Sequence, residues 1–273
     1  MNRKKINDIG LQYNELLGSC KPFITSDESN KIDKAFRFAS EFLLEKADEQ
    51  GNNLLEHAVK IARTATDDLG LGAKSIIAAL LHNTIMVTGV TRELILEKFD
   101  ETILALIEGY DRISSLPTDK VTIQSHKFRQ LFLSVVDDIR IILLKVAHRL
   151  NDMRNLALLP EHKRVKFSNE VEFLYIPIAH RLGLYRVKSE LEDLLMQYRY
   201  PEQYASINER IDATKTKREL FIREFAEPIE RELFRNGFEF DIKGRPKSIP
   251  SIWEKMKKQN VGLEQVYDLF AIR

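Results

Sequence analysis

Three histidines offer the first possible chemistry. His57, His82 and His148 fall on three separate stretches whose apolar residues recur at helical spacing, and Asp152 follows His148 by four residues, on the same helical face. Imidazoles converging from three helices can ligate a transition metal. Asn83 follows His82 directly, so a neutral amide stands beside the middle imidazole. Spacing alone favours a plainer role, that of hydrogen-bonded histidines inside a helical core.

A second constellation is cationic. Between Asp241 and Lys258 stand six basic residues (Lys243, Arg245, Lys247, Lys255, Lys257 and Lys258) against two acids, Asp241 and Glu254. Composition alone reads this as a solvated surface helix. However, residues 244–248, Gly-Arg-Pro-Lys-Ser, have the form of a strand-to-helix turn, and a cationic turn at a helix N-terminus suits phosphate. Lys247, Ser251 and Lys255 are spaced by four and line one face. Asp268, next to Tyr267 on an expected strand, reads by itself as a surface carboxylate.

The elements that must position these groups are mostly helices. Leu54, Leu55, Ala58, Ile61 and Ala62 form one stripe; Ile76, Ile77, Leu80 and Leu81 a second; Ile103, Leu104, Leu106 and Ile107 a third. A longer pattern runs over 135–159 to Pro160, and another over 163–182, where Pro177 predicts a kink or short break. The pattern continues through 191–196 towards Pro201, so residues 1–200 are expected to be a helical domain. Residues 207–234 read as one long helix ended by Asn236-Gly237, with 201–236 as the linking segment. Residues 238–242 alternate like a strand, 249–259 read as a helix and 266–272 as a second strand. Two strands and a helix cannot bury a sheet. The expectation is that residues 237–273 begin an incomplete α/β domain, the chain being the N-terminal part of a longer protein. The fold class is therefore mainly α.

Composition limits the partners. The 42 Lys and Arg against 41 Asp and Glu give a net charge of +1, which excludes a globally basic nucleic-acid binder. Cys20 is the only cysteine, so an intramolecular disulfide is excluded. No apolar run approaches the roughly 20 residues of a membrane helix, and the start, MNRKKINDIG, has no signal-peptide core. A cytoplasmic protein without a membrane partner is expected.

Several long blocks carry a resemblance: His57, His82-Asn83, KVAHRLNDMRNL at 145–156, YIPIAHRLGLYRVKSELEDL at 175–194, GRPKSIPSIWEKMKK at 244–258 and YDLFAIR at 267–273. Together they resemble the RelA/SpoT family of alarmone synthetase/hydrolases. The resemblance implies an all-helical HD-type domain that removes the 3′ pyrophosphate of ppGpp and pppGpp with manganese. An α/β domain would follow, transferring pyrophosphate from ATP to GTP or GDP with magnesium. By that resemblance Lys247, Ser251 and Lys255 approach the ATP phosphates, Arg245 and Arg273 sandwich the adenine, and Asp268 binds magnesium.

The hydrolase half departs from the family. Its metal ligands would be His57 and His82, but the paired Asp is Asn83 and the later Asp is His148. The adjacent Glu-Asp that works on water is Met86-Val87. The basic turn that grips the nucleotide matches Asp48-Glu49, and the nucleoside-contacting Asn matches Asp152. These losses imply a RelA-like GTP pyrophosphokinase of the stringent response with an inactive hydrolase and no bound manganese. Three alternatives stay open for the histidines: relics in a core, a pocket for a metal or ppGpp as regulatory ligand, and a rearranged hydrolase that keeps its activity. A ribosome contact would belong to C-terminal domains outside this sequence.

Overall fold

The structure is a computed structural model that describes residues 3–48, 51–116, 138–213, 215–240, 244–266 and 270–272. The chain forms two compact units, residues 1–191 and 192–273.

The first unit is helical among its described residues. It comprises α1 (Arg3–Cys20), α2 (Ser26–Leu43), α3 (Leu54–Asp67), α4 (Ala73–Leu81), α5 (Thr84–Thr88), α6 (Arg92–Lys98), α7 (Glu101–Ser114), α8 (Ile139–Arg154), α9 (Glu161–Glu170) and α10 (Ile176–Arg181). Helix α11 (Tyr185–Arg199) crosses the division between the units. Local chemistry sets the starts. Thr25 and Glu28 form a capping box on α2, with Thr25 Oγ1 accepting from the Glu28 amide at 3.2 Å and Glu28 accepting from the Thr25 amide at 2.9 Å. Asn53 caps α3 by accepting from the Glu56 amide at 3.0 Å. Every residue of the apolar α4 except Lys74 is buried, so it forms the centre around which α2, α3 and α7 pack.

The expected stripes on α3, α4 and α7 are buried as read. The helix expected over 135–159 is shorter. Val135 lies outside the described residues, α8 ends at Arg154, and a 3₁₀ turn, Leu156–Leu158, leads to Pro160. Pro177 does not kink a continuous α-helix. A π-helical turn, Val171–Tyr175, precedes it, and the wider turn accommodates a ring that would otherwise crowd the carbonyl four residues back. Asp68, at the end of α3, holds Arg154 at 2.8 Å and Arg186 at 3.1 Å, while Glu190 holds Arg154 at 2.6 Å. Those pairs tie α8 and the start of α11 to α3.

The second unit contains α12 (Pro201–Ala213), α13 (Lys215–Arg235) and α14 (Ile249–Gln259). Residues 201–213 and 215–235 are helical, as the pattern over 207–234 leads one to expect, and residue 214 lies outside the described residues. The strand expected over 238–242 is not formed at Phe238, Glu239 and Phe240, which are exposed; the remainder lies outside the described residues. Alternation alone cannot make a strand without a hydrogen-bonding partner. Among the described residues, β1 (Gly244–Pro246) pairs antiparallel with β2 (Phe270–Ile272). Val266 is not in the strand; it closes a 3₁₀ turn and is buried with Met196, Ile207, Ile249 and Ile252 in this unit's own core.

Candidate functional site

The three histidines meet. His57 comes from the first turn of α3, His82 directly follows α4, and His148 lies in the middle of α8. One nitrogen from each lies within 4.8 Å of the others. The His57 and His148 Nε2 atoms are 3.0 Å apart. His82 is buried, and its Nδ1 faces the Ala79 carbonyl at 2.7 Å, an acceptor left free by the end of α4. Donation of the Nδ1 hydrogen there leaves Nε2 with its lone pair. That Nε2 is buried and has no hydrogen-bond partner among the described residues.

Sequence reasoning missed the groups around this cluster. Tyr110 on α7 puts its hydroxyl against His148 Nδ1. Lys145, three residues before His148, sends its ammonium over the Tyr110 ring at 3.6 Å and donates to Ser114 Oγ. Arg149 bonds Glu170 and, at 3.1 Å, Asp152 Oδ2, with its guanidinium 3.8 Å from the Phe167 ring centroid. Glu170 is buried, so this ion pair fixes α9 against α8. The signal that could have found these residues was a helical offset of three from His148 for Lys145; Tyr110 offered none, being one aromatic in an apolar stripe.

Burial governs the protonation. It pushes His82 and His148 well below the ordinary imidazole value; repulsion from His148 and His57 adds to it at His82, and repulsion from His57 and Arg149 at His148. Burial lowers His57 as well, against the pull of Asp152. The Asp152 carboxyl is raised by burial although Arg149 opposes this. The cluster is thus neutral imidazole near pH 7.

A cavity of about 520 Å³ opens over His57 and His148. Asp48, Lys60, Val87, Asp152 and Lys163 line part of it. Asp48 binds the amide of Asn52 at 2.8 Å and its side chain at 2.9 Å; Glu49 lies outside the described residues. Asn83 caps α5 without a side-chain cap bond. Met86 and Val87 are exposed, apolar side chains.

The cationic constellation is described only in part. Arg245 lies on β1, Lys247 precedes the helix cap Ser248, and Ser251 and Lys255 sit on α14. Ser251 Oγ is 2.8 Å from Ser248 Oγ. Asp268 and Arg273 lie outside the described residues.

Comparison with known proteins decides the family. A model described as "HD domain" matches residues 35–185. The chain belongs to the HD-domain family, among the RelA/SpoT proteins. It is 35% identical over 246 residues to the guanosine-3′,5′-bis(diphosphate) 3′-pyrophosphohydrolase of Aquifex aeolicus, covering 90% of this chain and 35% of that protein. It is 30% identical over 246 residues to the GTP pyrophosphokinase of Myxococcus xanthus, covering 89% of this chain and 32% of that one. The chain spans about a third of the length of these relatives. A solved structure described as "A metazoan ortholog of SpoT hydrolyzes ppGpp and plays a role in starvation responses" shares 16% identity at a TM-score of 0.46, over 65% of this chain and 98% of that one.

In this HD domain the donors brought together are three neutral imidazole nitrogens, and Asp152, the adjoining carboxyl, is engaged by Arg149. These donors do not fit manganese, a hard ion that favours carboxylate oxygens.

Proposed function

We propose that this protein is a RelA-like GTP pyrophosphokinase, making pppGpp or ppGpp from ATP and GTP or GDP in the bacterial cytoplasm, and that its HD domain does not hydrolyse the product. Residues 1–200 are the HD domain, 201–236 the linking helix and 237–273 the beginning of the synthetase. The carrying observation is the pair of apolar, exposed side chains at Met86 and Val87, where the family resemblance calls for two acids. Neither can take a proton from water or give one to a leaving group, and such help is worth about 10² to 10⁴ in rate.

The cavity over His57 keeps what binding needs. Lys60 and Lys163 line it, so phosphates have cations to meet, although Lys60 already holds Glu56 at 2.6 Å. Asp48 adds a negative charge where the family grips the nucleotide with cations, which weakens substrate affinity. The two lysines together with the missing acids at Met86 and Val87 support ppGpp as a regulatory ligand rather than a substrate, held more weakly because of Asp48. In the synthetase half, Lys247, Ser251 and Lys255 hold the ATP phosphates, Arg245 and Arg273 the adenine, and Asp268 the magnesium that offsets charge on the transferring group. Ribosome contact is proposed for regions beyond this chain.

One observation favours a second reading, a retained (p)ppGpp hydrolase: the imidazole cluster survives, with the buried His82 Nε2 unpartnered among the described residues. The deciding experiment incubates the intact protein with ppGpp and either manganese or zinc and follows GDP and pyrophosphate, then supplies ATP with GTP or GDP. We expect synthesis and no hydrolysis. Pyrophosphate release at the rate of an intact family hydrolase overturns the silent-hydrolase reading.

A further inference from the structure

The disagreement between the imidazole cluster and manganese has a chemical resolution in the cluster itself. By the family pattern, residue 148 should be the metal carboxylate and residue 152 an Asn; here they are His and Asp. The carboxylate has moved one helical turn along α8, and it has not left the site. Asp152 Oδ1 is 3.6 Å from His148 Nε2, while Oδ2 is held by Arg149 at 3.1 Å. A turn of α-helix keeps the two on one face, so the exchange retains one negative charge while converting an oxygen donor to nitrogen.

Donor geometry supports this. A zinc-class ion bonds imidazole nitrogen at about 2.0–2.1 Å, which separates two nitrogens of one tetrahedral ion by about 3.4 Å. The His57 and His148 Nε2 atoms are 3.0 Å apart and the three rings offer nitrogens within 4.8 Å, so small side-chain adjustments suffice. His82 has the second partner that metal-ligating histidines have, a carbonyl on Nδ1, and its Nε2 is otherwise an orphaned buried acceptor. Tyr110 hydroxyl fills the same role on His148 Nδ1. Three helices supply the rings, so the nitrogens are positioned by packed elements.

We propose that His57, His82 and His148, with Asp152 as the adjoining carboxylate, form a site for a nitrogen-preferring divalent transition ion of the zinc class instead of manganese. Three imidazoles and a carboxylate can complete a tetrahedral set, which is the pattern of a closed, structural centre that leaves no position for an attacking water. The inference deepens the silent-hydrolase reading, yet its test needs no ppGpp.

Metal-stripped protein is dialysed against zinc alone, manganese alone and cobalt(II) alone, with bound metal counted and the visible absorption of the cobalt form recorded. We expect one zinc per chain, a manganese affinity weaker by at least about tenfold, intense tetrahedral cobalt bands, and loss of the bound metal and bands in His82→Ala. His148→Asp restores the oxygen donor and should narrow the zinc-to-manganese preference by about tenfold. Stoichiometric manganese at an affinity equal to that of zinc overturns the proposal. So does the absence of zinc from the wild-type protein, or zinc and cobalt bands unchanged by His82→Ala. Because wild-type stoichiometry and the cobalt spectrum carry the test, a variant that fails to fold leaves it decisive. Hydrolysis without zinc-class binding would sink both ideas; a zinc site with hydrolysis would sink only the silent-hydrolase reading.

Discussion

Lys145 carries a charge into a region where little water can share it. Its side chain is 8% exposed, packed on the Tyr110 ring and bonded to Ser114, with Arg149 as a second cation nearby. Burial, then the repulsion of Arg149, lowers its pKa to about 7. The folded value lies below the unfolded one, so between pH 7 and the ordinary lysine range the unfolded chain binds a proton that the folded chain does not. Stability therefore rises with pH across that window, and the desolvation cost is fully present below it. Lys145→Met should flatten this rise and leave stability at pH 7 equal to or above that of the parent, as read by denaturant unfolding from pH 6 to 10. A parental slope in the variant would assign the pH dependence elsewhere. Asp111, raised to about 6 by burial, titrates below the same window and is the control site. Neither shift was legible from sequence, because a charged residue in a helical stripe reads as solvated until its neighbours are known.

At the scale of elements, α7 and α8 approach closely at one point. A Cβ on Gly109 would overlap Ile141 Cδ1, and Ile141 is buried, so its ring of neighbours resists displacement. Gly109→Ala gains helix propensity of about 1 kcal/mol but meets an overpacking cost of about 1–3 kcal/mol, so a net loss is expected. Ile141→Val removes the overlapping methyl at a cost of about 0.5–1.5 kcal/mol. The double variant should lose less than the sum of the single losses, and strict additivity would place the overlap outside the energetics. This approach also positions Tyr110, the residue after Gly109, against His148 on α8. The helices of the first unit were legible because apolar period and caps agree there. The wrong strand at Phe238–Phe240 was not, because alternation reports a pattern and a partner strand completes it. Likewise Pro177 signalled a disturbance, but a widened turn and a kink leave the same mark in sequence.

For the whole molecule, the site divides by what a sequence can record. The histidine cluster was legible because three separate helical patterns and a family resemblance pointed to one pocket, and the rings do converge. The move of the carboxylate to Asp152 was visible as residue types but not as a retained charge, since that depends on Arg149 holding one oxygen and leaving the other towards His148. The synthetase assignment rests on more than one residue and is testable without the cluster. Pyrophosphoryl transfer concentrates negative charge between ATP and the acceptor oxygen, so it needs a metal-holding carboxylate and cations on the phosphates. Asp268 is proposed for the first task and Lys247 for the second. In the intact protein, Asp268→Ala should abolish pppGpp formation while unfolding stays that of the parent, whereas Lys247→Ala should raise the KM for ATP and lower kcat less. Those two patterns differ because loss of the carboxylate removes stabilisation made only in the transition state, while a phosphate cation also binds the ground state. An Asp268→Ala protein that makes pppGpp at the parental rate would remove the metal role from this position, and an unchanged KM in Lys247→Ala would remove the ATP contact.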